Sequence, residues 1–411
     1  MLDTEKYKNH FPELIHNETK EPVVYLDNAS TTLKPNFIID EMRKGYDDIN
    51  LQRHRNFFPF GKDLVERCED ARQKIADFIG ANSANEIIFT KNATEAINLV
   101  AYSWARRTLR KGDNILLSVM EHHSNLVPWQ ILAEELGVNI RYISVRENGN
   151  LLETDFNRKI DNRTKLVAIS HASNVLGTIN NLDEVIASLR EKGIVCLVDG
   201  CQAVPHIPVN VSEMGCDFYV FSGHKLLGPY GVGVLYGKEQ VLTKMKPFLS
   251  GSNMVSEVTF KFAKPHLPPW KFEAGTINYN EAIGLGMAID FLNEIGMNNI
   301  VEYEKQLMKY TINNMLKNEA VILYGRAKDR VPNIAFNLRG AHPDELAEFM
   351  EKNGVIISSG NHNAQPLINF LNLKYSARIS LYFYNTIEEV DKFLELLMEA
   401  KKLFSNVDQL K

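Results

Sequence analysis

The chain has 411 residues, with 46 Lys plus Arg against 51 Asp plus Glu and 45% hydrophobic residues. That length predicts two or three domains at roughly 150 residues each, and the composition excludes disordered, collagenous and rod-like chains. A net charge of −5 gives no global attraction to phosphate backbones or anionic lipid, so neither nucleic acid nor membrane is an expected partner. The longest uncharged run, Leu166 to Leu182, is interrupted by Ser170, His171, Ser173, Asn174, Asn180 and Asn181 and lacks transmembrane character. The first residues mix acids and bases without an apolar stretch, unlike a secretory signal. Cys68, Cys196, Cys201 and Cys216 form no CxxC pair and are too few for a disulfide framework. The expected location is the cytoplasm.

From about residue 85, short apolar runs alternate with longer amphipathic ones. Strands are expected at Glu86–Thr90, Asn114–Val119, Asn139–Val145, Lys165–Ser170, Ile194–Val198, Asp217–Ser222 and Val232–Tyr236. Helices are expected between several of them, at Ala93–Arg110, Asn125–Gly137 and Leu182–Lys192. Strands separated in this way require right-handed crossovers and a mostly parallel sheet covered on both faces. The last two strands have only His224–Gly231 between them and can pair antiparallel. The prolines of Lys264–Trp270 forbid helix there. Helices from about Glu281 and near Asn298–Lys317 then lead to a second α/β unit. It has strands near Val321–Tyr324, Asn333–Leu338 and Ala377–Phe383, with helices near Pro343–Asn353 and Ile387–Phe404.

Four polar clusters follow these apolar strands directly. In Phe221-Ser222-Gly223-His224-Lys225, a lysine at the end of a buried strand suits a Schiff base, although a solvated lysine in a glycine-rich turn reads the same way. Asp199, in Val198-Asp199-Gly200-Cys201-Gln202, sits where open α/β sheets bind ligands. It can pair with a protonated heterocyclic nitrogen, as a pyridoxal phosphate (PLP) ring requires, or merely cap the next turn. Asn92 with Glu95 resembles a capping box, and the helix start at Ala93-Thr94 favours a phosphate. His122-His123 lacks partners at metal-ligand spacing, so no metal is expected, and stacking on a flat cofactor is the better reading.

A phosphate cradle, a ring-nitrogen carboxylate and a Schiff-base lysine, in that order, are the parts of a PLP enzyme. The chain resembles the SUF-type (group II) cysteine desulfurase and selenocysteine lyase family, in the class V aminotransferase group of fold-type I PLP enzymes. The matching stretches include LDNAST (26–31), TEAINLVA (94–101), EHHSNLVPWQ (121–130), SNVLGT (173–178), VDGCQAVPH (198–206), FSGHKLLGPYGVGVLY (221–236), FEAGT (272–276) and ARISLYFYNTIEEVD (377–391). The resemblance implies a large PLP-binding domain over 26–285 with a mostly parallel seven-stranded sheet. An N-terminal segment, 1–25, would pack with a smaller α/β domain over 286–411.

Carried over residue by residue, it implies that Lys225 holds the cofactor and shuttles the Cα proton. Asp199 would hold the ring nitrogen's proton, Gln202 the ring's phenolic oxygen, and His123 would stack on the ring. Cys201 would pack against the opposite face. The phosphate would take Ala93, Thr94, Ser222 and His224, with Thr276 arriving from the neighbouring subunit of a homodimer. Asn174 and Arg378 would bind the substrate carboxylate, with Arg55 near the substrate entry.

The pattern breaks on the substrate side. Desulfurases of this family carry a loop of the form Arg-x-Gly-His-His-Cys-Ala-x-Pro, and this chain reads Ser358-Ser359-Gly360-Asn361-His362-Asn363-Ala364-Gln365-Pro366. Asn363 therefore stands at the persulfide-forming Cys, and asparagine cannot accept a sulfur atom. Because the PLP contacts remain, the expected function is Cβ–S or Cβ–Se cleavage of a small amino acid by elimination, without a persulfide on this loop. Chemistry confined to Cα, as in an aminotransferase or epimerase, stays open. So do delivery of sulfur to an acceptor protein and a non-catalytic, PLP-binding scaffold role in iron–sulfur assembly.

Overall fold

The structure is a computed structural model that describes residues 2–48 and 59–405. Seven strands form its main sheet: β1 (Ile87–Thr90), β2 (Asn114–Ser118), β3 (Asn139–Ile143), β4 (Thr164–Ser170), β5 (Val195–Asp199), β6 (Phe218–Ser222) and β7 (Gly233–Gly237). Their spatial order is β1-β7-β6-β5-β4-β2-β3. From β3 through β6 every pairing is parallel, whereas β7 runs antiparallel to both β6 and β1. The antiparallel pair follows from the linker, because His224–Gly231 holds no crossover helix.

Every residue of β2, β6 and β7 is buried, which explains why these strands read as continuous apolar runs rather than alternating ones. Successive side chains still separate to opposite faces. Phe89, Leu116, Val167, Val198 and Tyr219 enter one core, which also contains residues of the helices Pro59–Phe78 and Tyr279–Ile295. Ile88, Leu117, Ala168, Leu197 and Phe218 enter the other, with Ile97 and Trp129 from the helices Ala93–Val100 and Val127–Leu136.

A second sheet contains β8 (Val321–Tyr324), β9 (Asn333–Leu338), β10 (Ser358–Gly360) and β11 (Ser376–Ser380), in the order β8-β9-β11-β10 and antiparallel throughout. Phe336, Ile379, Leu346, Phe393 and Leu397 share its core, together with Val24 and Leu26 of the N-terminal segment. That segment is attached by a short parallel pairing of Val24–Tyr25 with Val355–Ile356.

Two elements depart from the expectation, and others carried none. The helix expected over Ala93–Arg110 runs as α-helix only to Val100, passes through a π-turn at Ala101–Ala105, and ends at Thr108. The strand expected over Ala377–Phe383 stops at Ser380, because Asn385 Oδ1 accepts the Tyr382 amide at 2.8 Å and turns the chain. Helices Asn36–Asp48 and Pro59–Phe78, the hairpin Val255–Val258 with Ala263–Pro265, and helix Gln365–Phe370 carried no expectation. Among the described residues, no helix is long and apolar enough to cross a membrane, and no group of three or more His, Cys, Asp or Glu is placed to hold a metal.

Candidate active site

A cavity of about 620 Å³ opens at the C-terminal ends of the parallel strands. Ser170 ends β4, Asp199 ends β5 and Ser222 ends β6, and all three line it. This is the edge at which open α/β sheets bind ligands. Residues 358–363 and Arg378, from the second sheet, form the opposite wall.

Lys225 reaches the cavity because β6 ends in a single tight turn, Gly223–Lys225, instead of a helix. Beside it, Ala93 begins its helix against β7. A Cβ on Gly233 would lie 2.5 Å from the Asn92 Cα, so only glycine lets that helix start come so close. Asn92 Oδ1 accepts the Glu95 amide at 3.0 Å, as the expected cap requires. The Glu95 carboxylate reaches Lys91 N instead of the cap's own amide, so only half of the capping box forms. Ala93 N donates to Ser222 Oγ at 2.9 Å, and Ala96 N to Asn92 O at 3.1 Å. These bonds do not use the Thr94 amide. Thr94 and His224 also line this end, and His224 Nδ1 is buried without a partner.

Asp199 is 6% exposed, and one carboxylate oxygen accepts the Cys201 amide at 3.0 Å. Gln202 lines the cavity with its amide largely engaged: Nε2 donates to Ala29 O at 2.8 Å, and Oε1 accepts from Asn333 Nδ2 at 2.9 Å. Cys201 also lines the cavity, and burial pushes its thiol far above the ordinary range. Burial also raises Cys196, and Cys68 and Cys216 to about 12, so none of the four thiols is a ready thiolate.

The tandem histidines face different neighbours. His122, not His123, lines the cavity. His123 points to the 363–365 segment, where its Nε2 accepts the Gln365 amide at 3.2 Å and its own amide donates to Asn363 O at 2.6 Å. Burial and the Lys225 charge lower His122 to about 3, so its ring is neutral. The turn carrying both residues is fastened by Glu121, whose buried carboxylate accepts from Ser118 Oγ, Asn125 Nδ2, Ser170 N and Ser170 Oγ. Burial raises this carboxyl to about 7, against the opposing pull of those hydrogen bonds.

At the far end, Arg378 is 3% exposed. Its Nη1 donates to Asn174 O at 3.0 Å, and its Nη2 to Asp27 Oδ1 at 2.8 Å and Ser30 Oγ at 2.9 Å, while Nε is buried without a partner. Asn174 donates Nδ2 to His362 O at 2.8 Å. Ser358 stands directly opposite Arg378 in the β10–β11 pairing. Beyond it, His362 and Asn363 adopt φ of 52° and 53°. Such a conformation suits asparagine, and Asn361 Oδ1 stabilises it by accepting the Asn363 amide at 3.0 Å.

Thr276 is not brought to this cavity. It lies in a separate depression with Phe89, Lys91 and Glu95. Arg55 lies outside the described residues. Sequence reasoning assigned nothing to Asp27, Ser30, Ser124, Ser170 or Tyr375, of which all but Asp27 line the cavity. The LDNAST stretch signalled Asp27 and Ser30, and EHHSNLVPWQ signalled Ser124.

The aminotransferase class-V family model matches residues 24–393, so the chain belongs to that family. Its cofactor is pyridoxal 5'-phosphate, and the cavity fits it: a buried carboxylate, an unpartnered His224 nitrogen, a helix start and a lysine line one space. Within the family the chain is cysteine desulfurase-like. It is 41% identical over 406 residues to a probable cysteine desulfurase of Halalkalibacterium halodurans, covering 99% of this chain and 100% of that one. It superposes on the cysteine desulfurase CsdA of Escherichia coli with a TM-score of 0.90 at 34% identity, covering 98% and 100% of the two chains. The apo cysteine desulfurase of Thermococcus onnurineus NA1 gives 0.91, also at 34% identity, with 99% of each chain covered.

Proposed function

We propose that this protein is a PLP-dependent lyase that cleaves the Cβ–S or Cβ–Se bond of a small, cysteine-like amino acid by elimination, without storing sulfur on the 358–366 loop. The observation that carries the reading is Asn363 in the cavity wall, and the resemblance to SUF-type desulfurases, which implies a nucleophilic cysteine at that place in the loop, supports it. The four thiols, all raised by burial, offer no substitute.

When bound, the cofactor supplies an electron sink for the Cα–H bond. Arg378 and Asn174 hold the substrate carboxylate, which sets the Cα–H bond towards Lys225, the base that takes this proton. Asp199, at the end of β5 in the cavity, would face the ring nitrogen. His123 would stack on the ring, as the resemblance implies, beside His122, a neutral ring that lines the cavity. The His122 Nδ1 accepts the Ser124 amide at 3.1 Å, so the proton rests on Nε2. A homodimer in which Thr276 completes the phosphate site of the partner is part of the same proposal.

Elimination and desulfuration leave different carbon skeletons. Elimination from cysteine gives pyruvate, ammonia and sulfide, whereas transfer of sulfur to a protein thiol leaves alanine. Turnover of cysteine, cystine and selenocysteine by the purified holoprotein, with pyruvate and alanine quantified together, tests the proposal. Pyruvate as the main product supports it, and alanine as the main product refutes it.

A further inference from the structure

The segment 31–34 grips the turn that carries Lys225 at a single point. The His224 carbonyl accepts from Thr31 Oγ1, Thr32 Oγ1 and the Thr32 amide, each at 3.1 Å, and from Lys34 Nζ at 2.9 Å. Lys34 completes its donors on Thr31 Oγ1, at 3.1 Å, and on Thr32 O. Its ammonium also lies 5.0 Å from the Tyr230 ring centroid, and that ring stacks on His224 with centroids 5.7 Å apart and planes 21° from parallel. Lysine, tyrosine and histidine thus form one pile at the phosphate end of the cavity.

That end lacks charge of its own. Ala93, Thr94 and Ser222 contribute neutral donors, and His224 is held neutral, lowered to about 4 by burial and by the charges of Lys225 and Lys34. Lys225 would be engaged by the cofactor's aldehyde. A phosphate dianion therefore meets hydrogen-bond donors and a helix start, with Lys34 as the cation bonded to the carbonyl of its His224 partner.

We propose that Lys34 is a positioning residue for the cofactor's phosphate: it fixes the His224 turn through the carbonyl and sets a positive charge behind the His224 ring. The inference depends on the cofactor assignment and not on which amino acid is the substrate. Three of the donors that Lys34 uses are spent on oxygen acceptors, which is the full complement of an ammonium. Burial lowers Lys34 to about 7, so near neutral pH the ammonium is held only in part, and a phosphate dianion arriving beside His224 would favour it.

Apoprotein titrated with PLP, and separately with pyridoxal, tests this by cofactor absorbance. Pyridoxal has the same ring and aldehyde but no phosphate. Lys34→Gln is expected to weaken PLP about tenfold, the loss of one charge-assisted contact, and to leave pyridoxal within about twofold. Lys34→Arg should restore most of the PLP affinity. If Lys34→Gln does not fold, Tyr230→Leu serves instead, because Tyr230 is 64% exposed yet carries both the stack and the cation contact. It should weaken PLP about threefold, again sparing pyridoxal. Unchanged PLP affinity in these variants overturns the proposal. So does an equal loss for PLP and pyridoxal, which would place the effect at Lys225 rather than at the phosphate. Wild-type protein that binds PLP no better than pyridoxal would instead defeat the phosphate-site assignment itself.

Discussion

Arg378 Nη2 donates to Asp27 Oδ1 at 2.8 Å, so the arginine lining the cavity already has a carboxylate partner from a segment 351 residues away. Ser30 Oγ bonds to the same Asp27 oxygen at 2.9 Å and to the same guanidinium nitrogen. The guanidinium is therefore locked in plane by three fixed acceptors, counting Asn174 O. Its Nε is buried without a partner.

Arg378→Lys should then raise KM for an amino-acid substrate by about tenfold or more, because an ammonium cannot keep the fixed fork while also reaching the substrate. kcat should fall much less. Steady-state kinetics check the split, and an unchanged KM would remove Arg378 from carboxylate binding.

Borohydride reduction of the holoprotein should place a pyridoxyl label on Lys225, found by peptide mapping. The label should vanish in Lys225→Ala. Label on Lys34 or on any other lysine in wild-type protein would refute the assignment of the cofactor's lysine.

Thr276 lies outside the cavity of its own chain. If it completes a partner's phosphate site, Thr276→Ala should increase PLP dissociation by roughly threefold to tenfold without altering the labelled lysine. Light scattering should give a dimer for the active holoprotein. A PLP-saturated, active monomer would end this account of Thr276.

Acid should act on buried histidines. His171, 8% exposed and bonded through Nδ1 to Tyr219 OH, is lowered from 6.5 to about 4 by burial. Between those values the unfolded chain binds a proton that the folded chain refuses, so stability falls as pH drops through this window. The contribution is on the order of 3 kcal/mol at its fullest. Glu121, raised to about 7, has the opposite sign between its ordinary value and 7, because there the folded state holds the extra proton. Denaturant melts of wild type and His171→Gln, compared from pH 7 to pH 4, isolate the histidine. The variant should lose less stability on acidification, and equal losses would contradict the assignment.

Lys225, Asp199 and Ser222 were legible because each sits at or just past the end of an apolar strand, where strand direction alone aims it at the ligand edge. That His122 lines the cavity was not. β2 ends at Ser118, and the four residues before the turn His123–Asn125 follow no strand or helix period that could decide which ring turns inward. The Asp27–Arg378 pair was hidden for another reason: nothing local in either segment encodes the register that joins them. Asn363 was legible only against a family pattern, whereas its left-handed backbone and its bond to His123 needed coordinates.

The claim that no sulfur is stored on the enzyme is tested most directly by intact-protein mass spectrometry immediately after turnover of cysteine, with and without reductant. The account predicts an unmodified mass for wild type and a reductant-sensitive sulfur adduct only in Asn363→Cys. A stable, transferable sulfur on Cys68, Cys196, Cys201 or Cys216 of the wild-type protein would contradict it.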